Sequence, residues 1–507
     1  MDPNKPNPAA AGRTGALVYG ADSGPDACHC RTTINTHYHN FQPRAGIAYS
    51  INAKTVLRTS FNMAYTHGSA GVGGNGATGP GRTGYNLPAS YSSAITGQPA
   101  FYWDGGVPSV APPAYLTSGF GVGFTTTTPT GALSPTYVDP ALSGKPPYYI
   151  NWAFGLQREL PGNVTVGATY SASVGHFLPR DGDLGMWTNS MLPQYLALGA
   201  LLGAQATPAN VAAAQAIIPG IALPFSGYQG TISQMLKPFP QYGGITCYSC
   251  DLGNSTYHSL QVTLNRRFAQ GLTTQISYTL SKEIDNLPSG GQLGSAGGTR
   301  DPYNGRLDRG LGVIHRPHLF RGSFLYVLPF GKGRLGGQNA LVRALVSGWS
   351  ISGLITFNSG PPLAVTGSGC TVTGVSSTCI VSYNPNFSGD VRINGAYGSG
   401  NALQPGAVSY LDKNAFASPA PYTFGNLPRS APFGLAAQGI LNEDISLRRE
   451  VPIKERIKLA LGVDVFNMTN SVYFAAPNTN IDSANFGQVQ TASNSPRKLQ
   501  INARLTF

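Results

Sequence analysis

The chain has 507 residues, of which Gly 65 and Pro 39 make up about a fifth, against an ordinary share of about 12%, an excess that argues against a mostly helical protein. Charged residues are 11% of the chain, 33 basic and 21 acidic, less than half the roughly 25% of soluble domains, so an ordinary soluble surface is hard to build. No run of about 18 apolar residues exists, which excludes a transmembrane helix; the formal charge of +12 is spread as single residues or pairs such as Arg266-Arg267 and Arg448-Arg449, not as the continuous basic stripe that nucleic acid needs.

Residues 1–30 hold Lys5 and Arg13 but no apolar run of signal-peptide length. Either the protein is cytoplasmic or its true N-terminus is missing. From residue 43 onward, segments of about ten residues alternate with period two, as transmembrane β-strands do. Strands are predicted near 43–51, 55–65, 148–158, 163–171, 257–267, 272–281, 317–328, 348–358, 441–449, 456–466 and 498–507. In the second hairpin Val164, Val166, Ala168 and Tyr170 alternate with Thr165, Gly167 and Thr169. In the last strand Leu499, Ile501, Ala503, Leu505 and Phe507 alternate with Gln500, Asn502, Arg504 and Thr506. A soluble sandwich alternates in the same way, so the pattern alone does not decide the solvent.

The connections between these strands are strictly short, then long. The short ones are 52–54, 159–162, 268–271, 329–347 and 450–455; the long ones are 66–147, 172–256, 282–316, 359–440 and 467–497. Short turns at one rim and long loops at the other are the pattern of bacterial outer-membrane barrels. Eleven strands conflict with the even numbers of single-chain bacterial barrels. Earlier strands absent from this chain would explain both the odd count and the missing signal; a strand overlooked within 385–440 is the alternative. Tyr49, Tyr65, Tyr148, Tyr149, Trp152, Tyr170, Tyr278, Tyr326, Trp349 and Phe357 lie near strand ends, where aromatic girdles sit, although strands favour aromatics anywhere. Tyr195–Ile218 is Ala- and Leu-rich but broken by Pro208, and is placed as short helices within a long loop.

Few motifs carry chemistry. Gly71-Val72-Gly73-Gly74-Asn75-Gly76 has the G-x-G-x-x-G spacing but lies in a Gly-rich loop with no strand feeding a helix, so no cofactor is expected. No nucleophile–base constellation is recognisable, and the chain is not expected to be an enzyme. Six cysteines form three close pairs, Cys28 with Cys30, Cys247 with Cys250 and Cys370 with Cys379. Such spacing suits loop disulfides in an oxidising compartment. Cys28 and Cys30 with His37 and His39 also gather soft metal ligands, without the spacing of a structural zinc site, and inert thiols are the third reading. Arg58, Arg158, Arg266, Arg321, Asp464 and Arg504 are charges expected on otherwise polar strand faces. A charge facing lipid at mid-membrane costs about 2–4 kcal/mol, so these should face the lumen or lie at the rim, pairing structurally or touching ligand.

Several blocks together resemble the C-terminal barrel of TonB-dependent outer-membrane receptors of the Oar-like type: Phe41–Tyr49, Asn151–Gly162, Gln194–Gly199, Pro238–Tyr242, Tyr257–Val262, Tyr278–Asp285, Asp301–Asn304, His315–His318, Leu328–Arg334 and Phe466–Asn470. They occur in the family's order and cover most of 41–507. The resemblance implies an all-β, transmembrane antiparallel barrel, here about 11–12 strands of a probable 22, with long extracellular loops. It divides the chain into 1–42, an extracellular loop remnant, and 43–507, the C-terminal part of the receptor barrel. The family's signal peptide, carboxypeptidase-regulatory-like sandwich and plug have no counterpart visible here. The implied function is capture of an unknown large ligand and its energised uptake across the outer membrane of a Gram-negative bacterium. The implied partners are outer-membrane lipid, the TonB complex acting through the missing plug, and the barrel-assembly machinery. Leu499, Ile501, Ala503, Leu505 and Phe507 resemble the signal read by that machinery. A plugless passive channel, a structural surface barrel and a soluble all-β binding protein are the competing readings.

Overall fold

The computed structural model describes residues 1–19, 23–30, 37–66, 91–93, 97–108, 118–119, 122–126, 129, 134–178, 189–247, 250–287, 299–330, 340–376, 378–393, 397, 409–453 and 457–507. Eleven strands lie side by side in chain order: β1 Arg44–Asn52, β2 Thr55–Tyr65, β3 Tyr148–Leu160, β4 Val164–Leu178, β5 Gly253–Ala269, β6 Leu272–Asp285, β7 His318–Val327, β8 Trp349–Asn358, β9 Ile440–Pro452, β10 Lys458–Phe466 and β11 Lys498–Thr506. Every neighbouring pair is antiparallel. A two-residue strand, Gly310–Leu311, adds to the loop end of β6. Among the described residues β1 and β11 each pair with one neighbour, so the sheet's path begins and ends on them. Between residues 385 and 440 the described residues hold no further strand of this sheet, but short pairings such as Phe416–Ala417 with Ser382–Tyr383 and the bridge of Arg392 with Leu411.

Turn chemistry sets the short rim. Gly162 and Asn163 have φ of 84° and 60°, and Gln270 and Gly271 have 51° and 83°. Successive left-handed residues match the twist of a tight hairpin, and glycine takes that conformation without a Cβ clash. At Gly271 a Cβ would also stand 2.6 Å from the Val327 carbonyl oxygen. The link from β7 to β8 contains a short helix, α1 Ala340–Val346, and the Trp349 indole donates to the Leu345 carbonyl at 2.9 Å.

The register sorts the sheet into one apolar and one polar face. Across β2–β5, Phe61 is opposite Trp152, Phe154 opposite Tyr170, Tyr170 opposite Leu260 and Ala168 opposite Val262. Across β8–β11 the same face carries Ile351 against Leu447, Leu447 against Val463, and Val463 against Ile501. The other face pairs Asn62 with Asn151, Thr169 with Gln261, Gln261 with Thr279, and Ser352 with Ser446. Phe154 (56% exposed) and Ile501 (83% exposed) stand out from the apolar face with no protein over them. An exposed apolar surface this continuous marks a non-aqueous environment.

Three strands run further toward the long loops than the alternation indicates: β4 to Leu178, β5 from Gly253 and β6 to Asp285. In these extensions residues such as Ser171, Ser173 and Gly175 no longer alternate with strongly apolar neighbours. Loops pack against much of these extensions, burying Ala172, Leu178 and Asp285 while Lys282 stays exposed, so the amphipathic signal fades.

The buried core lies in the long connections and not in the sheet. One cluster joins Ala10 with Met191, Leu202, Val211, Phe225 and Ile232 from the loop after β4, and with Val372 and Val375 from the loop after β8. A second joins Leu363, Val381, Leu411, Phe416 and Leu435 to Ile481 and Phe486 of the loop after β10. A third joins Leu17 and Tyr19 to Tyr137 and to Phe239, Tyr242 and Cys247. Residues 1–19 take part through a hairpin of Asp2–Asn7 with Arg13–Ala16. Within 195–218 the structure has a 3-10 segment, Pro193–Gly203, and a helix, Pro208–Ile217, capped by the Thr207 side chain.

Candidate functional site

All three apolar clusters stand at one end of the sheet, so the long loops build a packed layer there. Tyr242 is a hub of this layer. Its hydroxyl donates to the Gly15 carbonyl at 2.8 Å and accepts from Asn7 Nδ2 at 3.1 Å. The Asn189 side chain donates to the Phe239 and Tyr242 carbonyls, both at 2.9 Å, and accepts the Phe239 amide at 2.8 Å. Gln234 Nε2 donates to the Pro240 carbonyl at 3.0 Å and the Tyr242 carbonyl at 2.6 Å. The Pro238–Tyr242 block is thus the point where the N-terminal hairpin and the loop after β4 lock together. Burial raises the Tyr242 and Tyr228 hydroxyls well above the ordinary tyrosine range, and holds the Lys237 ammonium below its usual value. Lys237 Nζ donates to the Gly243 carbonyl at 2.8 Å.

A second anchor ties the loop after β6 to the loop after β8. Arg429 Nη1 stands 2.6 Å from Asp285 Oδ1, with both side chains buried. The same guanidinium donates to the carbonyls of Leu287, Gly310 and Leu311. Arg300 reaches back the other way, donating to the Leu427 carbonyl at 2.6 Å and the Pro428 carbonyl at 3.3 Å. Burial lowers the Arg300 guanidinium from its ordinary value, and the Asp308 charge opposes this. Burying an ion pair is costly unless its remaining hydrogen bonds are filled; here backbone carbonyls accept from both terminal nitrogens of Arg429, while its buried Nε has no partner among the described residues. His315 Nδ1 accepts the Glu283 amide at 3.2 Å, and desolvation, then Lys282 and Arg316, lower its basicity.

The Phe466–Asn470 block forms the third anchor. Asn467 and Asn470 have positive φ, 52° and 55°, which asparagine tolerates better than other residues bearing a Cβ. The Asn467 amide donates to Asp444 Oδ1 at 3.0 Å and its side chain donates to the Ser471 and Ser495 carbonyls. Thr469 donates to Glu443 Oε2 at 2.8 Å.

Of the strand charges singled out from the sequence, Arg58, Arg321, Asp464 and Arg504 lie on the polar face, opposite Gly155, Ser277, Ser446 and Ala460. Asp464 is the centre of a cluster. It accepts from Ser446, from Asn502 Nδ2 at 2.7 Å, and pairs with Arg448 at 3.6 Å. Arg158 and Arg266 depart from the expectation of a polar face. They share the apolar face with Leu156 and Leu264, because each stands an even number of residues from them. Both lie at the short-turn end, where a long cationic side chain can reach water while its stem stays on apolar surface. Cys28 is joined to Cys30, Cys247 to Cys250 and Cys370 to Cys379, at Cα–Cα distances of 5.2, 5.6 and 4.7 Å. The first pairing uses both sulfurs of the group considered for soft metal. Leu499, Ile501, Ala503 and Leu505 line the apolar face of β11, and Phe507 follows it, 92% exposed. The Gly71–Gly76 motif and Gly331–Arg334 lie outside the described residues.

Sequence reasoning missed the anchors at Asn189, Arg300 and Arg429. The only signal for them was the Pro-flanked context of Arg429, between Pro428 and Pro432, which marks a fixed turn rather than a partner.

Comparison with solved structures places the chain beside large outer-membrane proteins at low similarity. The ferripyoverdine receptor of the outer membrane of Pseudomonas aeruginosa is 11% identical, with 92% of this chain and 33% of that chain covered and a TM-score of 0.34. The outer membrane transporter YddB from Escherichia coli is 13% identical, with 91% and 40% covered and a TM-score of 0.37. The ferric-catecholate import receptor Fiu from E. coli K12 is 10% identical, with 97% and 40% covered and a TM-score of 0.35. The chain thus spans 33% to 40% of the length of these proteins. No curated protein matches it. The family model described as "Outer membrane beta barrel domain" matches residues 1–500. With strands that present one apolar and one polar face along that length, the chain belongs to the outer membrane β-barrel domain family and is a protein of the Gram-negative outer membrane.

Proposed function

We propose that this chain is the C-terminal barrel portion of a TonB-dependent receptor of the Oar-like type, whose long-loop layer captures a ligand for energised uptake. Residues 1–42 belong to that outer layer, and residues 43–507 are about half of a 22-stranded wall. The observation that carries the reading is the loop layer. Its three apolar clusters and its anchors make a preorganised surface at one end of the sheet, and surfaces held rigid before binding lose less entropy on capturing ligand. The blocks that resemble the receptor family, Pro238–Tyr242, Asp301–Asn304 and Phe466–Asn470 among them, form or adjoin these anchors. Polar-face charges at Arg58, Arg321, Asp464 and Arg504 then line the space that a plug fills, and the cysteine pairs pin the loops. The chemistry is binding and passage, with no catalytic step.

The plugless channel is the second reading, favoured by the polar face itself, which suits a water-filled lumen. The coding sequence upstream of Met1 separates the two. The receptor reading expects a contiguous plug-encoding segment, and a signal peptide directly before Met1 contradicts it. Membership of an outer-membrane family leaves the soluble sandwich without support.

A further inference from the structure

On the apolar face, at the end nearest the long loops, two strand pairs repeat one arrangement. The Tyr170 hydroxyl and His258 Nδ1 are 2.7 Å apart, with rings stacked at 6.1 Å and 20°. The Tyr278 hydroxyl and His318 Nδ1 are also 2.7 Å apart, with rings at 6.2 Å and 23°. In both, the tyrosine sits one diagonal step from the histidine: Tyr170 is opposite Leu260 with His258 two residues on, and Tyr278 is opposite Phe320 with His318 two residues on. Lys282 is directly opposite His258 and lies between the two pairs. All five side chains share the face that meets lipid.

Polar groups are expensive on a lipid-facing surface unless they reach the headgroup level. When the tyrosine hydroxyl donates to Nδ1, the imidazole carries its proton on Nε2, so each pair offers one fixed outward N–H donor. Lys282 adds a cation with a flexible stem. From Thr55 to Val327, the six strands β2–β7 carry no carboxylate on this face. Donors and a cation without acids complement an anion. Further along the same rim, at the long-loop ends of β2–β4, a cavity of about 280 Å³ is lined by His37, His39, Tyr65, Lys145, Tyr148 and Phe177, with Lys145 Nζ 4.9 Å from the centre of the Phe177 ring. Aromatic faces bordered by cations suit a sugar ring that bears charge.

We propose that Tyr170–His258, Tyr278–His318 and Lys282 form a docking station for a phosphorylated glycolipid headgroup of the outer leaflet. The lipid lies against the apolar strands with its phosphate on Lys282 and the two imidazoles. The inference rests on the orientation argued above, long loops outward.

The test uses the full chain purified in detergent, with lipid A as probe in its diphosphorylated and enzymatically dephosphorylated forms, and bound lipid counted by native mass spectrometry. The expected result is preferential retention of the diphosphorylated form, reduced at least about tenfold, or about 1.4 kcal/mol, in a Lys282→Ala/His258→Ala/His318→Ala variant. Lys282→Gln, which keeps the stem, should lose part of the preference, and Thr279→Ala on the polar face should lose none. Equal retention of the two lipids, or unchanged retention in both Lys282 variants, overturns the proposal. An epitope placed after Gly220 and read on intact cells reports the orientation separately. Surface exposure with no lipid preference refutes the station alone, and an epitope found on the periplasmic side refutes the orientation on which it rests.

Discussion

Arg429 shows how one residue holds two loops. Its partner Asp285 ends β6, 144 positions earlier, and its two terminal nitrogens also donate to backbone carbonyls of that same loop. Arg429→Ala leaves a buried carboxylate uncompensated, at a cost of about 3–5 kcal/mol. Limited proteolysis of membranes should then cut within 286–317 and 359–439 while the sheet stays membrane-bound. Replacing both partners, as Arg429→Met with Asp285→Leu, should restore much of the protection; equal lability of the single and double variants would show the pair is not the anchor. A different carboxylate links the loops after β8 and β10. Asp482 accepts from the Ser368 hydroxyl at 2.8 Å and from its amide, and these hydrogen bonds lower its pKa. A lowered folded pKa means the contribution is present above the ordinary aspartate value of 3.8 and is lost as pH falls through the folded value. Hydrogen exchange at Ser368 should therefore rise on acidification below that range, and Asp482→Asn should flatten the dependence.

The strands were legible in the sequence because a two-residue period survives wherever lipid covers one face and water the other. Val164–Tyr170 and Leu499–Phe507 display it without interruption, and Gly162 and Gly271 punctuate it. The loop layer was not legible. Its buried residues come from segments far apart, such as Ala10, Leu202 and Val375, and have no shared period. The strand extensions beyond Ser171, before Tyr257 and beyond Ser281 were missed where that period fades. Arg158 and Arg266 were misplaced because a charge near a strand end carries no sign of its face until the register is known. The faces themselves make an element-scale prediction. Ile501→Arg on the apolar face should cost about 2–4 kcal/mol if it lies near the bilayer midplane, whereas Asn502→Arg, on the polar face, should insert like the parent. Equal insertion yields would reverse the assignment of faces. Removing Phe507 should lower outer-membrane yield, as expected if the last strand is read by the assembly machinery; an unchanged yield would count against that role.

At the scale of the whole molecule, the sheet carries one apolar and one polar face while the long loops carry the folded core. Edge strands β1 and β11 each have one hydrogen-bonded neighbour among the described residues, and unpaired strand edges are unfavourable in lipid. The receptor reading requires an outer-membrane wall with its packed loop layer facing outward. Epitope insertion in the encoding gene of its Gram-negative host tests it most directly, with one tag after Gly220 in the loop following β4 and another after Gly162 in a short turn. Antibody should bind the first tag on intact cells and the second only after the outer membrane is permeabilised. Binding to the short-turn tag on intact cells, or recovery of the chain in the soluble fraction without detergent, would contradict it.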